Sequence, residues 1–118
     1  MAYSNQSSAE MQTCINDCYD CHSTCLETIA YCVQKGGKYT QGSHFSLLQD
    51  CAEICLVNGN LILRHSALQE QLGEACVRIC EACAEECDGF SDDLLMKACA
   101  MACLHCAESC LIIARAHI

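Results

Sequence analysis

The sequence predicts an all-α fold, an up-down-up-down four-helix bundle with a cysteine-lined core. The motif Cys-x3-Cys-x2-Cys-x3-Cys recurs at Cys14/Cys18/Cys21/Cys25, at Cys76/Cys80/Cys83/Cys87 and at Cys99/Cys103/Cys106/Cys110. Steps of four, three and four are helix steps, so each quartet holds its thiols within roughly 60° of one another around one helix. Proline is absent, and the glycines fall mainly between the periodic segments, which suits long helices. The short segments between periodic runs make neighbouring helices antiparallel.

Each element follows from its punctuation. Ser7 with Glu10 makes a capping box for a first helix that runs to about Gln34, stopped by Gly36 and Gly37. Cys32 lies seven residues past Cys25 and extends the same stripe. Thr40 to Ser43 reads as a short polar connection containing Gly42. A second helix is expected from about His44 to Arg64, weakened at Gly59. Its stripe carries Cys51 and Cys55, and the next two slots hold Asn58 and Ile62. Ser66 with Gln69 opens a third helix that ends near Gly89, and Ser91 with Asp92 and Asp93 caps a fourth that continues to about Arg115. The strings Cys83-Ala-Glu-Glu-Cys87 and Cys106-Ala-Glu-Ser-Cys110 point to a duplicated helix unit, but no constant repeat period marks a solenoid.

The chain of 118 residues reads as one domain, residues 1–118, with 1–7 as a flexible N-terminus. Six basic against fifteen acidic residues give a net charge of −9, which argues against nucleic acid or an anionic membrane surface as a partner. No basic segment followed by an apolar run opens the sequence, and no stretch offers ~20 uninterrupted apolar residues. These features predict a cytoplasmic protein, in a compartment where thiols stay reduced.

Fifteen cysteines confined to the inward stripes occupy the slots that leucine fills in an ordinary bundle. Leucine there would bury more area at ~25 cal/mol per Å², so packing alone does not account for the sulfur. Disulfides fit poorly, because the count is odd and residues of one stripe have nearly parallel Cα–Cβ vectors. Iron–sulfur clusters call for loop cysteines and commonly a proline. Tetrahedral zinc thiolates would bury surplus negative charge, and the Cys faces carry no Lys or Arg to offset it. Cu(I) is soft, prefers thiolate and accepts low coordination numbers. One Cu⁺ per deprotonated cysteine leaves the core neutral, which sets a ceiling of about 15 ions. Neutral thiols pack as a weakly hydrophobic core, so the metal-free form is expected to be folded already.

His65 falls at one end of the second stripe, and His117 lies seven residues past Cys110 on the fourth. In an up-down-up-down bundle both converge with Met11 at one end, where imidazole and thioether would assist metal entry and hand-over. The opposite end gathers Cys32, His44, Phe90, Leu95 and Met96 and reads as apolar and closed, while His22 and His105 lie off the stripes and are expected at the surface. Asn58, on a thiol stripe, either caps the sulfur ladder or bonds a thiol.

On its three full stripes and the shorter Cys51/Cys55 stripe, the chain from Met11 onward resembles the cytosolic branch of the bacterial copper storage protein family. The resemblance implies a four-helix bundle without catalytic activity that stores many Cu(I) ions, mostly in two-coordinate thiolate sites within a helix. It also implies a tetramer and entry at one bundle end marked by His or Met; delivery of the copper by a chaperone is a further expectation. The two competing readings are a metallothionein-like Zn/Cd buffer and a thiol redox protein, the latter needing an exposed cysteine of low pKa.

Overall fold

A computed structural model describes residues 5–116, with side chains over residues 9–114. The described residues form five helices: α1 (Asn5–Lys35), α2 (Lys38–Gln41), α3 (Ser43–Leu63), α4 (Gln69–Asp88) and α5 (Leu94–Ala116). At ~1.5 Å per residue the 31 residues of α1 span most of the 51 Å long axis. The four long helices pack in a ring, α1 against α3 and α5, and α4 against α3 and α5.

The helix ends show what the sequence conveyed and what it did not. The α1 backbone is already helical at Asn5, so Ser7 lies inside the helix rather than at its cap, and only 1–4 of the expected flexible terminus fall outside the described residues. Gly36 and Gly37 do stop α1, both at positive φ (68° and 56°), a region that glycine enters without steric cost. The connection after them is not irregular: Lys38–Gln41 forms the single turn α2. Ser66 does not cap α4. Its hydroxyl accepts from the Leu68 N–H at 3.1 Å, and Gln69 Nε2 donates to its carbonyl at 3.1 Å, which shapes the turn before the helix. At α5 the cap is Asp93 rather than Ser91, since Asp93 Oδ1 accepts the Met96 N–H at 3.1 Å.

The core runs down the axis and consists mainly of the fifteen cysteines, joined by Met11, Ile15, Leu48, Ile62, Met96 and Ile113. α5 is long and apolar enough to cross a membrane by composition. Lys97, His105 and Glu108 interrupt it, and its Cys99/Cys103/Cys106/Cys110 stripe is buried against the other helices. One end of the bundle is covered by aromatic rings. Tyr39 and Phe90 lie 4.9 Å apart and His44 meets Phe90 at 4.7 Å, while the Tyr31 and Tyr39 hydroxyls both donate to Asp93 Oδ2, at 2.6 and 2.7 Å.

Candidate metal centre

Every cysteine is a free thiol, and all are fully buried except Cys110, which is 2 % exposed. The helix-period spacing accounts for this, because each stripe turns its sulfurs toward the axis shared by the four long helices. Eleven of the sulfurs form a continuous ladder. Cys14 and Cys18 of α1 meet Cys110 of α5 at 3.5 and 3.8 Å, and Cys21 meets Cys51 of α3 at 3.7 Å and Cys103 of α5 at 3.8 Å. Cys55 reaches Cys80 and Cys76 of α4 at 3.6 and 3.9 Å and Cys106 at 3.8 Å. Pairs four residues apart on one helix have the same spacing: Cys51–Cys55 at 3.9 Å, Cys76–Cys80 at 3.8 Å and Cys106–Cys110 at 3.9 Å. An incoming ion therefore meets partners along a helix and across helices at equal reach.

Three quartets have all their sulfurs within 4.8 Å of one another: Cys18/Cys76/Cys106/Cys110, Cys21/Cys55/Cys80/Cys106 and Cys21/Cys25/Cys51/Cys103. Cys106 belongs to the first two and Cys21 to the last two, so the quartets share ligands and are not separate sites. Among the described residues the buried polar side chains are Thr28, His44 and Asn58, with no lysine or arginine. Lys97 pairs with Asp88 at the surface, and Lys35 and Lys38 lie over the Tyr31, Tyr39 and Phe90 rings.

The hydrogen bonding of the network divides the thiols. Contacts with Cys110 and then Cys18 hold Cys14 down to about 5, against the effect of burial. Bonds to Cys103 and Cys106 likewise lower Cys21, and bonds to Cys106 and Cys110 lower Cys76. The Cys103 and Cys106 thiols are pushed up, the first by its bonds to Cys21, Cys25 and Cys51, the second by those to Cys110, Cys18 and Cys21, and both further by desolvation. Cys32 stands outside the quartets, and burial raises it to about 11.

The family model described as copper storage protein matches residues 7–115. The chain belongs to the copper storage protein family. Among solved structures it is similar to a protein of Nitrosospira multiformis, at 34 % identity and a TM-score of 0.85 over 92 % of this chain and 98 % of that one. It is also similar to the Cu(I)-bound copper storage protein BsCsp3 of Bacillus subtilis, at 31 % identity and a TM-score of 0.82 over 89 % of this chain and 98 % of that one. A cytosolic copper storage protein of Streptomyces lividans, with five coppers loaded, shares the fold at 22 % identity and a TM-score of 0.88, over 95 % of this chain and 98 % of that one.

The residues expected to assist entry into this copper storage fold lie in different settings. Met11 is 7 % exposed and joins the core cluster. His65 is exposed and closes α3 through its backbone: its φ is 57°, its N–H bonds Ile62 O at 3.0 Å, and the Ser66 N–H bonds Leu61 O at 2.9 Å. That is a Schellman ending with a histidine in the position glycine usually takes. His117 lies outside the described residues. His105 is exposed as expected, whereas His22 is half-buried with Nδ1 2.7 Å from Ala52 O. The sequence left the role of Asn58 open. Its Nδ2 donates to Cys18 Sγ at 3.6 Å and to Cys110 Sγ at 3.3 Å, and its Oδ1 has no partner. A cleft lined by Cys14, Asn58, Gln69, Gly73 and Cys110 reaches the sulfur ladder at this end.

Proposed function

We propose that this protein stores Cu(I) in its core, with the fifteen cysteines as ligands and about one copper per cysteine at full loading, the ratio that leaves a buried thiolate core neutral. The observation that carries this reading is the set of thiol quartets sharing Cys21 and Cys106 in a core whose buried polar side chains, among the described residues, include no lysine or arginine. Shared sulfurs suit bridging thiolates, and Cu(I) accepts two or three of them. Four thiolates around Zn²⁺ would each time leave two buried negative charges without a cation to offset them. Membership of the family and the Cu(I)-bound relative point the same way.

Copper enters at the end bearing Met11 and His65. Support comes from Cys110, the thiol with residual exposure, and from Cys14 beside it, whose lowered pKa favours the thiolate that captures an ion. The four long helices run up-down-up-down within a single domain. The order of cross-helix partners supports this, since Cys18 meets Cys106 and Cys110 whereas Cys25 meets Cys103. The protein works in the cytoplasm, where fifteen thiols remain reduced, receives copper from a chaperone and catalyses no reaction. A tetramer would cover exposed apolar side chains such as Val33, Leu63, Met101 and Ile112.

Metal selectivity tests the reading. Reduced protein is exposed to equal Cu(I) and Zn(II) under anaerobic conditions, desalted and assayed for both metals. Storage predicts many coppers per chain and little zinc, whereas a few zinc ions retained in place of copper would favour the buffer reading.

A further inference from the structure

Cys32 makes no contact with the sulfur ladder and meets a thioether instead. Like Cys14, Cys83, Cys87 and Cys99 it belongs to none of the three quartets, and its sulfur contact runs to a thioether, Met96 Sδ at 3.8 Å. Both side chains are fully buried. The imidazole at this end is turned to other work. His44 Nε2 lies 2.7 Å from Tyr39 O, its ring packs on Phe90, and Nδ1 faces Gly42 so closely that a Cβ there would lie 2.7 Å from it.

We propose that Cys32 and Met96 form a terminal Cu(I) site at the aromatic-covered end of the core, with one thiolate and one thioether as its ligands. The proposal rests on the storage reading above. As Cu⁺ binds, the Cys32 thiol releases its proton, so the added positive charge is matched by one thiolate and the unit is neutral. A second thiolate would leave a net negative charge on a fully buried site. The thioether avoids that charge while remaining a soft donor. It also holds copper less strongly than a bridging thiolate, so this site fills after the ladder and empties before it.

Two readouts test the proposal. Reduced protein, C32A, M96L and C32A/M96L are titrated anaerobically with Cu(I) against a chromophoric chelator. Each single variant is expected to bind one copper fewer than the parent, and the double variant also one fewer. In parallel, selenomethionine protein carrying M11L and M101L is loaded with Cu(I) and measured at the selenium edge. A copper scatterer at bonding distance from selenium, lost when M96L is added, is expected. The selenium–copper contact itself is read with Met96 in place and so does not depend on the folding of M96L, an apolar exchange of similar volume that serves as its control. A full copper complement in M96L together with no selenium–copper contact would overturn the proposal. A parent protein that binds few coppers or none would overturn the storage reading itself, and the site with it.

Discussion

The side-chain amide of Asn58 donates to the sulfur of Cys110 over 3.3 Å, and so ties α3 to α5 at the level where the α3 thiol stripe ends. The same Nδ2 reaches Cys18 of α1 at 3.6 Å, but Oδ1 is buried without a partner. A half-satisfied buried amide gains little from weak sulfur acceptors and carries the desolvation cost of its orphan oxygen. Asn58→Leu is therefore expected to keep the metal-free protein within about 1 kcal/mol of the parent, or to stabilise it. Thermal unfolding by circular dichroism checks this, and a fall of more than several degrees would show that the sulfur contacts matter more than assigned.

Gly59 makes room for a neighbouring ring. A Cβ there would lie 2.8 Å from Tyr19 Cε1, and the ring is held in place by the Tyr19 hydroxyl donating to Asn60 Oδ1 at 2.6 Å. Glycine to alanine in a helix ordinarily gains about 1 kcal/mol. Here overpacking, at about 1–3 kcal/mol, outweighs the gain. Chemical denaturation of Gly59→Ala should show a net loss, and the same substitution in a Tyr19→Leu background should show a gain.

His65 separates a backbone role from a ligand role. Its left-handed conformation costs a non-glycine residue about 1–2 kcal/mol. His65→Gly should therefore stabilise the metal-free protein by about 1 kcal/mol while slowing copper uptake, which stopped-flow loading at limiting Cu(I) would detect. Unchanged uptake would remove the imidazole from the entry path.

The burial of the thiols predicts their chemistry. With fourteen of the fifteen cysteines fully buried and Cys110 at 2 % exposure, native protein should react slowly with a thiol reagent at all of them, and rapidly once denatured. One thiol labelled at once in the native state would revive the redox reading.

The helical stripes were legible because a sulfur every three or four residues has one geometric meaning, and the long helices followed from it. The glycines at 36 and 37 were legible for the same local reason. The sequence does not choose Asp93 over Ser91 as the α5 cap, since both are good cap formers and the choice is made by the Tyr31 and Tyr39 hydroxyls, distant in sequence, that position the Asp93 carboxylate. The Schellman ending at His65 left no sequence signal, because glycine is the usual mark of that turn. The turn of α2 has no sequence signature: four residues carry too little periodicity to register, and Tyr39 within it is anchored by Phe90 and Asp93 across the bundle end. Cys32 was readable as part of a stripe, but its pairing with Met96 depends on how α1 and α5 come together, which the spacing within either helix does not encode.

The central claim, a bridged thiolate store, is met most directly by the copper end point. Reduced, metal-free protein is titrated anaerobically with Cu(I) in the presence of a chromophoric chelator until the chelator begins to colour. An end point of about 15 coppers per chain is predicted from the charge balance of a buried thiolate core. An end point of only a few ions, or colour from the first addition, would contradict it.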